Sequence, residues 1–449
     1  MSPPDLPLLL TIEKMIYGGD GLARLPADEK GRGKAVFVPF VIDGEKIEAS
    51  LTEQTAGFAR ARADTINEPS PHRVKPGCPY FAKCGGCHYQ HASYEHQLEI
   101  KKEILRESLK RTAKIELSSD IQVHPSPPWN YRNRSRLQVQ TVPEFRTGYF
   151  RFASHELMPI EECPISSPLI NRGITALWQN GRAGHVPRGV REVEFFANAD
   201  DTQLLIGVSA ASDGRRAELR GWAEAFHESM AEIAGITVFR EKAAAPRESE
   251  KLLTVAADHL IYQTKRSTYR VSAGSFFQTN RHLTDELVKI VTENQNGKLA
   301  LDLYAGVGLF STALSGDFHH IVSVESSQTS TADLAYNLHS KEEAIQATTE
   351  QYLSGMEKGR SRKGSVLPPR TQQPDLAVVD PPRGGLGERV ARMLTTLGAP
   401  RVVYVSCDPV TLSRDLVTLL AGGYRIEQVH LVDVFPQTYH LESVVHLAR

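Results

Sequence analysis

Apolar and polar positions alternate along residues 7 to 62, through TIEKM, KAVFVPFVI and KIEASLTE, with breaks at Gly18-Gly19-Asp20-Gly21 and Asp43-Gly44. A two-residue period interrupted by glycine turns predicts a small all-β unit, and a five-stranded, OB-like β-barrel over residues 1–65 satisfies it. The proline-rich, polar stretch NEPSPHRVKPG, residues 67 to 77, reads as a linker. The period then lengthens. Leu98, Ile104, Leu105 and Leu109 mark one face of a helix from about Tyr94 to Ala113, and Lys101, Lys102, Arg106, Lys110 and Arg111 give it a basic face. Residues 130 to 265 mix strand-like runs (SRLQVQTV, REVEFFA, QLLIGVS) with one helical segment around Ala217 to Ile233, so 66–268 is expected to be an α+β domain. After Gly297 continuous apolar runs (KLALDLY, HIVSVE, DLAVVD, RVVYVS, RIEQVHLVDVF) alternate with helical segments. Strands buried on both faces and separated by helices predict a mainly parallel, doubly wound, Rossmann-like sheet in 269–449. The basic segment Glu357 to Gln373 interrupts it as a surface loop. The expected fold class is multidomain α/β.

Composition changes this picture in two places. Lys plus Arg (52) nearly cancels Asp plus Glu (53), so net charge does not point to nucleic acid and any basic surface must be local. The start MSPPDLPLLLTIEK lacks a basic n-region, and no later stretch reaches the roughly 18 apolar residues of a membrane span. A cytoplasmic chain with no membrane partner and no evident obligate protein partner is expected. In that setting five cysteines favour metal ligation or catalysis over a disulfide framework.

The candidate chemistry falls at strand ends. Asp302-Leu-Tyr304-Ala-Gly306-Val-Gly308 follows one strand and opens a helix, so backbone can approach a ligand at the glycines. Ser311 leaves the dinucleotide fingerprint incomplete, and a tight turn is the plainer alternative. Glu325 ends the next strand, where a carboxylate can accept from both ribose hydroxyls. Asp380-Pro-Pro-Arg383 makes a rigid turn at a third strand end. Together they suggest an adenosylmethionine site. Cys407 follows RVVYVS at the same edge and is a candidate nucleophile, against the alternative of a packing cysteine.

Cys78, Cys84, Cys87 and the remote Cys163, which precedes Pro164, supply four thiolates. Three local cysteines plus one remote one suit an iron-sulfur cluster better than zinc, which stays open. Between Tyr131 and Phe152, Arg132, Arg134, Arg136, Arg146 and Arg151 face one acid, Glu144, with aromatic residues interleaved. That pattern suits single-stranded RNA, or else a solvated basic strand face.

Three segments carry a resemblance. Asp380-Pro-Pro-Arg-Gly384, Val-Tyr404-Val-Ser-Cys407-Asp-Pro and Phe435-Pro-Gln-Thr438-Tyr-His440-Leu-Glu442 resemble, in order and spacing, the signature segments of the RNA 5-methyluridine methyltransferases. The likeness extends upstream through Phe276-Phe-Gln278-Thr-Asn280 and Asp302 to Gly308 to the cysteines and the N-terminal unit, which resembles a TRAM domain. It implies transfer of a methyl group from S-adenosylmethionine to carbon 5 of a uridine. Cys407 would add to carbon 6, and Glu442 would remove the carbon 5 proton. It further implies that Gln278, Tyr304, Glu325 and Asp380 contact the cofactor or frame its pocket, that Phe276 packs near the base, and that the four cysteines hold a 4Fe-4S cluster. Leu309 departs from an asparagine of some relatives, and the lack of a cysteine after Asp380-Pro-Pro separates the chain from cytosine-5 RNA methyltransferases. The expected partner is RNA, with a flipped-out uridine; large-subunit rRNA is preferred and tRNA is the alternative. A reading of another class, a non-catalytic RNA-binding or ribosome assembly factor, is disfavoured because both Cys407 and Glu442 are present.

Overall fold

The computed structural model describes residues 8–26, 33–117, 119–242, 245–339, 342–358 and 373–449. Its first unit is a six-stranded sheet: β1 (Leu8–Thr11), β2 (Lys14–Met15), β3 (Asp20–Arg24), β4 (Ala35–Pro39), β5 (Lys46–Gln54) and β6 (Phe58–Glu68), in spatial order β1-β5-β6-β4-β3-β2. Three register shifts between β5 and β6 bend the sheet around Leu10, Ile12, Val36, Val38 and Ile47. The expected five-stranded closed barrel is therefore a six-stranded half-barrel, in which β1 and β2 are opposite edges. The segment expected as a linker is pinned to it: Arg73 Nη2 lies 2.7 Å from the buried Glu45 Oε2.

The next two elements, α1 (Tyr94–Ala113) and β7 (Gln122–His124), leave this unit and join the C-terminal sheet. A seven-stranded sheet follows, made of β8 (Arg134–Gln140), β9 (Arg146–Phe150), β10 (Leu157–Pro159), β11 (Val190–Ala197), β12 (Leu204–Ala210), β13 (Ile233–Lys242) and β14 (Ala245–Ala256). The helices α2 (Pro168–Arg182) and α3 (Arg216–Glu228) share its core with Leu137, Phe195, Val208 and Val238. Where one helix was expected around Ala217 to Ile233, two form, and the second stops at Glu228 because Ile233 opens β13. α2 is obscured in the sequence by Gly173 and Gly181. Both are packing glycines: a Cβ at Gly173 would sit 2.9 Å from the Phe195 ring.

The hairpin β15 (His259–Gln263) and β16 (Thr268–Ser272) leads into the last unit. This contains α4 (Thr284–Thr292), β17 (Gly297–Leu303), α5 (Leu309–Leu314), β18 (Phe318–Glu325), α6 (Gln328–Asn337), β19 (Glu342–Gln346), α7 (Thr349–Lys358), β20 (Leu376–Val379), α8 (Gly387–Leu397), β21 (Arg401–Ser406), α9 (Pro409–Ala421), β22 (Arg425–Val432) and β23 (Glu442–Ala448). Strand order is β19-β18-β17-β20-β21-β23-β22-β7. The sheet is mainly parallel, as expected, with one reversed strand: β23 runs antiparallel to both of its neighbours, and the other seven strands share one direction.

Alternate residues of each strand feed two cores. Leu301, Val379, Tyr404 and Val445 meet α1, α8 and α9 on one face, while Ala300, Val378, Val405 and Val444 meet α4 and α5 on the other. α1 packs on α9, and β7 pairs with β22. The segment 94–124 thus completes the C-terminal sheet from a distance in sequence. Of the loop expected between Glu357 and Gln373, residues 359–372 lie outside the described residues.

Candidate active site

The carboxyl edge of the C-terminal sheet collects the candidate residues. Tyr304 follows β17, Glu325 ends β18, Asp380 follows β20 and Cys407 follows β21. Because β23 runs the other way, its first residue lies at this same edge. The ladder ends at the pair Ser406 and Ser443, so Cys407 and Glu442 are the next residues on their two strands, and Glu442 is close enough to act on the Cys407 thiol through its charge.

The turn after β17 is shaped for close approach. Tyr304, Gly306 and Gly308 have φ of 70°, 56° and 93°, and a Cβ at Gly308 would sit 2.8 Å from Leu334. Glu325 braces the turn, accepting from Gly306 N (2.9 Å) and Ser327 N (2.6 Å). Asp302 lies wholly buried beneath it. Its Oδ2 accepts from Ser311 Oγ at 2.5 Å, while Oδ1 has no partner among the described residues. Burial pushes Asp302 up to about 6; burial and the charge of Asp302 push Asp380 up to about 7. Glu442 is buried, and burial together with Asp380 raises it well above the carboxylate range.

Cys407 is half-buried in a fixed turn. Asp408 caps α9 by accepting from Val410 N (3.0 Å) and Thr411 N (2.9 Å), with Pro409 in the first helical position. Ser443 Oγ donates to Ser406 O at 3.1 Å. Burial, then Glu442 and Asp380, push the Cys407 thiol up to about 12, and Arg383 is the cation that opposes them. Gln278 is buried and makes no hydrogen bond among the described residues, while Phe276 is 59 % exposed. Leu309 is buried in the core.

The segment leading to Glu442 is held by residues the sequence reading did not select for the site. Lys101, on α1, is fully buried and donates to Asp433 Oδ1 (2.6 Å) and Phe435 O (2.9 Å). The Gln437 carbonyl accepts from His88 N (2.8 Å) and Tyr89 N (2.9 Å), and Tyr131 Oη donates to Pro436 O (3.0 Å). One signal was present: Lys101 falls on the helix stripe of Gln97, Ile104 and Leu105.

Cys78, Cys84, Cys87 and Cys163 line a single cavity of about 620 Å³. Burial pushes the Cys84 thiol up to about 11 and raises Cys78 and Cys87 as well. Arg132 lines the same cavity, buried, and its Nε has no partner among the described residues. Four thiols and an unpaired guanidinium around a space this wide fit an anionic, thiolate-ligated iron-sulfur cluster. No three His, Cys, Asp or Glu side chains among the described residues converge as on a single metal ion.

The expected arginine stripe is not a free basic face. Arg136 pairs with Glu194 (2.8 Å), Arg151 with Glu156 (3.1 Å) and Arg146 with Glu144, while Arg134 lies over the Phe196 ring at 4.3 Å. Two of these acids are remote in sequence or beyond the stripe, which is why the charge balance misled. The basic face of α1 is neutralised in the same way, with Lys102 and Arg106 on Asp120, Lys110 on Glu116 and Arg111 on Glu107.

A glycine turn with acidic residues on successive strands, and a cysteine at the same edge, define a methyltransferase-type α/β site. Residues 93–449 match the family model tRNA (Uracil-5-)-methyltransferase. An uncharacterized RNA methyltransferase of Aquifex aeolicus is 32 % identical, the match covering 99 % of both chains. The 23S rRNA (uracil(1939)-C(5))-methyltransferase RlmD of Pseudomonas fluorescens is 29 % identical over 97 % of this chain and 92 % of that protein. The crystal structure of Pyrococcus abyssi tRNA (uracil-54, C5)-methyltransferase in complex with S-adenosyl-L-homocysteine superposes with a TM-score of 0.73 at 23 % identity, covering 98 % of this chain and 99 % of that one, and shows the same fold. The chain belongs to the RNA uracil-5 methyltransferase family and is an S-adenosylmethionine-dependent enzyme that methylates uridine in RNA at carbon 5. No helix of the described residues is long and apolar enough to cross a membrane.

Proposed function

We propose that the substrate is a uridine of large-subunit ribosomal RNA, that Cys407 is the covalent nucleophile and that Glu442 is the base. The observation that carries the chemistry is that Cys407 and Glu442 directly follow and precede the last β21–β23 pair, Ser406 with Ser443, and that Glu442 acts on the Cys407 thiol. Carbon 5 of uracil is a weak nucleophile. With its proton first released to solvent, the Cys407 thiolate bonds to carbon 6, and the electron pair of the carbon 5–carbon 6 double bond moves onto carbon 5. S-adenosylmethionine, when bound, would supply the methyl group that carbon 5 takes up, its methyl–sulfur bond breaking to leave S-adenosylhomocysteine. Glu442 then accepts the carbon 5 proton, and the carbon 6–sulfur bond breaks to return the thiolate. Burial and the neighbouring Asp380 raise the pKa of Glu442, so it is the ionised form of this carboxyl, a stronger base than an exposed carboxylate, that accepts the proton.

Tyr304, Glu325, Gln278 and Asp380 are the proposed cofactor contacts. The orphaned Oδ1 of Asp302 adds an acceptor beneath the same turn, suited to a ligand ammonium group or to water. Cys78, Cys84, Cys87 and Cys163 would hold a 4Fe-4S cluster as a staple, since methyl transfer to uracil needs no electron from the protein. The proposed division is a TRAM-like RNA-binding unit in 1–65, a cluster-bearing α+β unit in 66–268, whose segment 94–124 crosses over to complete the catalytic sheet, and the catalytic unit in 269–449. The rRNA reading draws on the likeness to RlmD along nearly the whole chain.

Mapping 5-methyluridine in total RNA with and without the gene tests the substrate: loss from 23S rRNA supports it, and loss from tRNA alone overturns it. For the chemistry, Glu442→Gln should methylate once and remain attached to RNA as a denaturant-resistant band. Cys407→Ala should give neither product nor adduct. A linkage at any residue other than Cys407 would overturn the mechanism.

A further inference from the structure

The half-barrel does not hang from the enzyme by its C-terminal strand alone. Met15, at the end of β2, is buried in the same core cluster as Leu412 and Leu441 of the catalytic unit. Just beyond it Ile16, Tyr17, Gly18 and Gly19 form a tight turn, closed by Ile16 N to Asp20 O (3.0 Å) and Gly19 N to Ile16 O (3.2 Å). Gly19 lies against His88 so closely that a Cβ there would be 3.1 Å from His88 Cβ, and its φ of 97° adds a second reason for glycine.

The turn delivers one side chain into the catalytic edge. Tyr17 Oη donates to the carbonyl oxygen of Cys407 at 3.4 Å, and the Asp408 carboxylate lies close enough to raise its pKa. Its ring meets Tyr439 edge-on, with centroids 5.5 Å apart. Tyr439 is three residues from Glu442, so a single side chain of the half-barrel touches the backbone of the nucleophile and the segment that carries the base.

We infer that Tyr17 is a positioning residue for the methyl transfer reaction: its hydroxyl fixes the Ser406–Asp408 turn so that the Cys407 thiol meets carbon 6. The inference rests on Cys407 being the nucleophile. It makes the half-barrel a wall of the active site as well as an RNA-binding unit.

The electrostatics give this role a signature of its own. The charged groups facing the thiol are Glu442, Asp380 and Asp408, which raise it, and Arg383, which lowers it. The Tyr17 hydroxyl stays protonated, because burial and Asp408 both raise its pKa, and it is therefore a donor that disperses the Asp408 charge. Without it, Asp408 acts on the thiol undiminished. The thiol then ionises at higher pH.

The test is the rate at which the full-length enzyme forms a covalent adduct with 5-fluorouridine RNA, at saturating RNA and S-adenosylmethionine and over a range of pH. Tyr17→Phe keeps the ring on Tyr439 and removes only the hydroxyl. It should slow adduct formation by about five- to tenfold, the effect of one hydrogen bond to a charged or backbone acceptor. It should also move the pH profile to higher pH, with RNA and S-adenosylmethionine affinities within about twofold of wild type. Tyr17→Ala, which loses the ring as well, should be slower still. An unchanged rate and pH profile in Tyr17→Phe would overturn the inference, as would a fall in RNA affinity as large as the fall in rate. A wild-type enzyme that forms no adduct at Cys407 would instead overturn the nucleophile reading on which it depends.

Discussion

The five cysteines occupy two regions built on opposite plans. Cys407 sits at the end of a buried strand, in a turn closed by the Asp408 cap and by Ser443 from the neighbouring strand. The four others lie on segments outside the named helices and strands and meet only around a cavity. A thiol fixed by a sheet keeps its place without a ligand. Thiols gathered by loops need the group they bind to hold those loops together. Yet the regions touch, because the Gln437 carbonyl takes both of its backbone hydrogen bonds from His88 and Tyr89, next to Cys87.

Removing the proposed cluster should have the largest effect and should break the comparison most directly. Stripping the metal from anaerobically purified, brown protein should abolish the broad visible absorbance and lower Tm by about 10 °C, because the cysteine loops lose their tie. Methyl transfer should fall with it, although Cys407 is untouched, since the segment before Glu442 loses its anchor. Cys407→Ala should do the reverse: colour and Tm stay, while adduct and product vanish. A colourless protein with one stoichiometric zinc would refute the iron-sulfur assignment, and a stripped protein of full activity would show that the two regions are independent.

A smaller effect should follow from cutting the buried tie between α1 and the catalytic segment. Lys101→Met leaves the Asp433 carboxylate without its cation, at 0 % exposure, and should cost about 3–5 kcal/mol in denaturant unfolding. Lys101→Met combined with Asp433→Leu should recover part of that loss, because no charge is then stranded. If the double variant were as unstable as the single one, packing rather than charge would explain the cost. The tie sharpens the comparison because it stabilises Glu442's side of the site without touching the cysteine loops.

Much of the catalytic edge was legible because its signals are local. A strand buried on both faces is a run of apolar residues, and Tyr304, Glu325, Asp380 and Cys407 each follow or end such a run within a few positions. The helix from Tyr94 to Ala113 was legible for the same reason, since its 3.6-residue stripe lies in one segment. What escaped is contact between remote segments. Nothing near Tyr17 announces Cys407, and nothing in α1 or β7 announces that they complete a sheet whose other strands begin after residue 296. The arginine stripe failed likewise, because Glu194 neutralises it from β11. The curl of the half-barrel depends on register shifts between β5 and β6, which alternation alone cannot count.

The smallest expected effect is on pH dependence, and it separates the two regions without disabling either. Asp302 is raised to about 6 in the folded protein, from an ordinary carboxylate value of 3.8. Between those values the native state holds a proton that the unfolded chain has released, so stability falls as pH rises through the window. The shift corresponds to about 3 kcal/mol at most. Asp380, raised to about 7, extends the same slope upward. Other carboxylates titrate in this range too, and the informative quantity is the difference between wild type and Asp302→Asn in urea unfolding at pH 4.5 and pH 7.5, without cofactor. Wild type should lose stability relative to Asp302→Asn as the pH is raised, because the variant has no proton to lose. A difference that stays constant across the range would mean that Asp302 is ionised at its ordinary pKa. The unpaired Oδ1 would then have a partner, such as a water molecule, that stabilises its charge beneath the glycine turn.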